Sequence, residues 1–135
     1  MNWSKSLLVV AASMFVLTSI GAMVLDDSPI EKIMAKGFKK GGLRQQIDNE
    51  VKKDSPNWPD VEKKAGELKK LCDTLCKEKP PRGEADSWKN LTEALAKNTK
   101  SLSDAAGRKD QANAKSFIAK INNSCKECHN RHQPE

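Results

Sequence analysis

The chain ends in NNSCKECHNRHQPE, which puts two of its four cysteines and both of its histidines into the eight residues from Cys125 to His132. Cys-x-x-Cys-His is the spacing used for covalent attachment of haem c. The two thiols form thioether bonds to the porphyrin and the next histidine binds iron. The spacing has a geometric basis, because residues three and four apart share one face of a helix. Cys125, Cys128 and His129 would therefore present two sulfurs and an imidazole to one edge and one face of a porphyrin. Two other chemistries draw on the same residue types. Cys125, Cys128, His129 and His132 are four acceptable zinc ligands, but within one short helical stretch they wrap a tetrahedral ion awkwardly, and zinc fingers usually split their ligand pairs. A redox dithiol of the thioredoxin kind belongs to a βαβ setting, and no stretch of this sequence alternates like a strand. Haem attachment is the reading that uses the spacing best.

The elements that must hold these residues read as helices. The chain has 135 residues, a net charge of +6, three Phe, three Trp and no Tyr. Its alanine, leucine and lysine content favours helix. Ser28-Pro29-Ile30-Glu31 predicts a helix start, with Ser28 as cap, Pro29 in the first turn and Glu31 as capping-box partner. Ile30, Ile33, Met34, Gly37 and Phe38 then fall on one face. Gly41-Gly42 weakens the helix before Leu43, Ile47 and Val51 resume the period, so this region is one kinked helix or two short ones. A proline-containing connector, DSPNWPD, leads to a second helix opened by Pro59 and Asp60, with Val61, Ala65, Leu68, Cys72, Leu75 and Cys76 inward. After KEKPPRGEADSW, Asp86 or Ser87 is expected to cap a third helix carrying Trp88, Leu91, Leu95 and Leu102 and ended by Gly107. The fourth runs from about Asp110, with Phe117, Ile118, Ile121, Cys125, Cys128 and His129 on its inner side. The expected fold is all-α, an antiparallel four-helix bundle with haem c attached on the last helix.

Residues 1–25 carry a single charge, Lys5, followed by an uncharged run from Ser6 to Leu25 that ends at Asp26-Asp27-Ser28-Pro29. A basic start followed by an apolar core is the pattern of a secretory signal, while the length of Leu7–Leu25 also suits an uncleaved membrane anchor. In both cases residues 26–135 form the functional domain and lie outside the cytoplasm. Export argues against a nucleic-acid partner. The basic balance then points to partner proteins with acidic docking surfaces, with membrane contact only if the leader is retained.

An exported helical chain with CKECHNRH in its last helix, opened by IEKIMAKGFKKGGL, resembles the class II cytochromes c: the cytochrome c-prime group and its low-spin relatives. The resemblance covers about residues 28–132. It implies a periplasmic four-helix protein with one covalently attached haem c, and it leaves a homodimer open. In that family the first helix faces the far side of the haem. Met34 thereby becomes the candidate sixth ligand opposite His129, against the plain alternative that it fills core space. Phe38, a turn later, is implied to pack against the haem. With His129 and Met34 as axial ligands, the expected function is single-electron transfer without substrate turnover, and hence not that of an enzyme. The alternative is a five-coordinate haem protein that binds NO or CO, with Met34 as packing. His132 is expected to pack at the haem edge or to be solvated at a fraying C-terminus. Cys72 and Cys76 stay open between buried thiols and a disulfide; the lysine after Cys76 argues against a second haem.

Overall fold

The computed structural model describes residues 27–135, which form five α-helices and, among the described residues, no strand. The 1–25 leader and the methionines within it lie outside the described residues. The helices are α1 (Pro29–Gly37), α2 (Leu43–Val51), α3 (Trp58–Leu75), α4 (Ala85–Gly107) and α5 (Gln111–His132).

Local chemistry explains most of the boundaries. At α1, the Ser28 hydroxyl accepts the Glu31 N–H at 3.2 Å and the Glu31 carboxylate accepts the Ser28 N–H at 2.7 Å, the reciprocal box the sequence predicts. Of the two options for the first helical region, the structure takes the pair of short helices. The break is steric. Gly41 adopts φ +81°, and a Cβ on Gly42 would lie 2.9 Å from the carbonyl oxygens of both Lys36 and Lys39. Only glycine lets the chain double back this closely. Asn57 caps α3 by accepting the Asp60 N–H, and Asp110 caps α5 by accepting the Asn113 N–H.

Two expected boundaries shift. The third long helix begins at Ala85, with Glu84 in the cap position and no side-chain cap. Asp86 and Ser87 therefore sit inside its first turn, and the Ser87 hydroxyl is engaged elsewhere. Gly107 closes the same helix, but the residue that turns the chain is Lys109, at φ 55°.

The long helices α3, α4 and α5 pack in succession, and α2 closes the ring by touching both α3 and α5. α1 occupies the same corner as α2 at the other end of the bundle and packs on α3. The fold is a helical bundle whose first corner is filled by two short helices in turn. A large apolar cluster joins α2 to α5 through Ile47, Leu68, Leu102 and Ile121, all fully buried. A second, smaller cluster is built on Ile33, Leu75 and Trp88, where α1, the end of α3 and the start of α4 meet. Thr92 and Thr99 are also buried, although sequence periodicity assigns that face of α4 to leucines. Each hydroxyl donates to a carbonyl of its own helix, Thr92 to Trp88 at 2.9 Å and Thr99 to Ala96 at 3.0 Å. That local bond removes the cost of burying the polar group.

Candidate haem-attachment site

The antiparallel order gathers the chemically active residues at one end of the bundle. Cys125, Cys128 and His129 lie on the last turns of α5, Cys72 and Cys76 at the end of α3, and Met34 in the middle of α1. Arg44 of α2 donates to Asn122 of α5 at 2.6 Å, which ties the first corner to the last helix just above the site. Cys125 and His129 follow Asn122 by three and seven residues, so they continue the stripe of α5 that faces that corner. At their level the corner is occupied by α1, and no Cα of α1 lies within 8 Å of one in α5. The bundle is closed above the site and open at it.

The opening accounts for the exposure pattern. Cys125 and Cys128 are half-buried, and His129 is exposed, its side chain with no hydrogen-bond or ring partner among the described residues. The expectation that His129 lies on the inner, covered side of the last helix is corrected: it borders the gap between α1 and α5. Met34 and Phe38, both half-buried, and Cys128 pack against the same small cluster of Ile33, Leu75 and Trp88. The structure thus brings Met34, Phe38 and Cys128 around one apolar centre, with Cys125 and His129 at its open side. Phe38 also packs against the large cluster, standing at the C-terminal cap of α1 where the two meet. Two thiols and an unpartnered imidazole on one helical edge, beside apolar side chains and a gap between helices, fit a covalently held haem.

His132 behaves differently from both of its expected roles. It is 1% exposed, with Nδ1 2.8 Å from the Arg82 carbonyl oxygen and Nε2 3.1 Å from the Ser87 hydroxyl. A carbonyl oxygen only accepts, so Nδ1 carries the hydrogen of that contact. Its ring stands edge-on to Trp88, with centroids 5.3 Å apart. With both nitrogens used inside the protein, His132 would have to break two hydrogen bonds to join a zinc set with Cys125, Cys128 and His129. Periodicity could not reveal this burial, because its partners are 45 and 50 residues away in the chain.

All four cysteines are free thiols. Burial pushes Cys125 and Cys128 above the ordinary thiol range, and for Cys125 the positive charge of Arg44 pulls the other way. Cys72 is fully buried, and loss of hydration pushes its pKa up from 9.0 to about 12, against a hydrogen bond with Thr99 that lowers it. From about pH 9 to about 12 the unfolded chain loses this proton while the folded chain keeps it, so stability falls as pH rises through that window. Iodoacetamide at pH 8 is expected to leave Cys72 unlabelled in the native protein and to label it fully in urea. Mass spectrometry of the peptide that contains it reads the difference.

Comparison with known families supplies independent information. Residues 83–133 match the family described as cytochrome C', a segment that takes in the last two residues before α4, all of α4 and α5, and the Cys125-Cys128-His129 motif. This match supports a class II cytochrome c assignment. The family implies a covalently bound haem c, in agreement with the donor set at the open end of the bundle. No curated protein and no solved structure matches the chain. The match to the cytochrome family does not extend over α1, so the placement of Met34 and Phe38 rests on the packing described above. Among the described residues, no helix is long and apolar enough to cross a membrane.

Proposed function

We propose that this cytochrome is an exported, periplasmic single-electron carrier, not an enzyme, in which one haem c is held by Cys125 and Cys128 and ligated by His129 and Met34. When bound, haem c supplies reversible one-electron chemistry, and a thioether opposite a histidine raises the reduction potential. The observation that carries the reading is the placement of Met34. It sits on the helix across the gap from His129 and belongs to the same apolar cluster as Cys128.

The charge distribution supports an acidic protein partner. α3 carries four basic and four acidic residues, and α4 three of each. α5 carries four basic residues against Glu127 alone. The 29–51 segment carries five basic residues against three acidic ones, and two of those three, Asp48 and Glu50, pair with lysines just beyond α2. Positive charge is therefore concentrated on the two helical segments that flank the gap, where it would steer an acidic surface toward the site.

The deciding experiment is an absorption spectrum of the full chain matured with a haem c assembly system, ferric and ferrous, with and without CO. Low-spin bands with no response to CO are expected. High-spin bands that shift with CO would assign the protein to gas binding instead and leave Met34 as packing.

A further inference from the structure

The segment between α3 and α4 is fastened at both ends, and its far end is fastened to the turn that carries His129. The Trp88 indole N–H donates to the Glu78 carbonyl at 2.8 Å. At Arg82-Gly83 the connector meets the last turn of α5. Arg82 Nη2 donates to the Asn130 carbonyl at 3.0 Å, and the Arg82 carbonyl accepts from His132 Nδ1. The Asn130 contact answers a specific deficit: its helical donor would be the N–H of residue 134, which is proline and has none. Gly83 lies flush against the same turn, at φ +81°, and a Cβ there would sit 2.7 Å from the Arg131 carbonyl oxygen and 2.9 Å from His132 Nδ1. Helix ends ordinarily fray, because their last carbonyls lack partners. Here the connector supplies a donor to one of them, that of Asn130, and the ring of His132 is the buried pin.

We propose that His132 is a positioning residue: with Arg82, Gly83 and Ser87 it holds the final turn of α5 in register, so that the exposed His129 ring is presented to haem at a fixed angle before the cofactor arrives. The holding contacts are a property of the chain, whereas the effect on His129 rests on the haem reading above. His132→Phe keeps a ring beside Trp88 and removes both hydrogen bonds. Gly83→Ala attacks the same contact from the connector, and His132→Gln restores a donor and an acceptor.

The test uses the full chain, both as the haem-free protein and after haem maturation. Amide hydrogen exchange of residues 129–133 in the haem-free protein is expected to be roughly tenfold faster in His132→Phe and in Gly83→Ala, with exchange in the middle of α3 unchanged and with partial rescue in His132→Gln. In the haem-loaded variants, attachment through both cysteines stays complete while the high-spin ferric fraction rises several-fold. Faster exchange with an unaltered spectrum would overturn the positioning role, since the turn would then be held without consequence for His129. Unchanged exchange would overturn the holding contact itself. If wild-type chain takes up no haem, the haem reading fails, and the exchange arm still decides whether His132 pins the turn. Should His132→Phe fail to fold, Ser87→Ala, which removes one hydrogen bond at the same ring, replaces it in both arms.

Discussion

Met34→Leu is expected to change the protein from a low-spin, CO-indifferent cytochrome to a high-spin one that binds CO when reduced. The substitution removes the thioether sulfur and little else. Leucine and methionine have similar volumes, and such exchanges usually cost less than about 1.5 kcal/mol. Met34 is also only half-buried, on a cluster that keeps Ile33, Leu75 and Trp88. The bundle should therefore stay folded while the iron loses its sixth ligand, and circular dichroism alongside the absorption spectrum separates the two effects. Loss of a thioether ligand also lowers the reduction potential, which a redox titration of the same samples reads. An unaltered, CO-indifferent spectrum would show that another group binds the distal side or that Met34 never did.

The double replacement Cys125→Ala, Cys128→Ala is expected to abolish covalent haem altogether, so that acidified acetone extracts all colour from the protein and denaturing gels show no haem-linked band. Each single variant should retain one thioether and a diminished yield. Neither thiol contributes much to the fold, because both are half-buried at the open side of the bundle, and the large cluster lies on the other helical turns. Alanine is also a better helix former than cysteine. The haem-free double variant should thus remain helical, and a loss of helix as great as the loss of haem would mean that the bundle itself depends on the cofactor.

The residues that could be read from the sequence are those whose signals are local. The Ser28–Glu31 box starts α1 as its spacing predicts, the glycine pair breaks the first helical region, and the apolar faces of α2 and α3 are buried where periodicity places them. Cys125, Cys128 and His129 could be picked out because their chemistry is written in adjacent positions. What escaped the sequence depends on distant partners. The gap between α1 and α5 arises from how two corners of the bundle pack, so nothing in α5 alone says that His129 will face an opening. The burial of His132 escaped because its partners Ser87 and Arg82 precede it by 45 and 50 residues in the chain. Thr92 and Thr99 drew no notice among the apolar positions of α4, because hydropathy counts the hydroxyl and ignores the carbonyl a turn back that satisfies it.

The two apolar clusters, joined through Phe38, Leu71 and Leu95, stand in different relations to the candidate site. One, spanning α2 to α5, contains no candidate ligand of the iron. The other borders the candidate haem site and is the one against which Met34 and Cys128 pack. Substitutions confined to the first are expected to alter how much heat the protein survives more than they alter the surroundings of the candidate ligands. Changes at the half-buried margin of the second, as at Met34, are expected to alter those surroundings, whereas its buried members Ile33, Leu75 and Trp88 also carry the fold. An engineer who wishes to vary the site while keeping the scaffold would therefore begin at that margin.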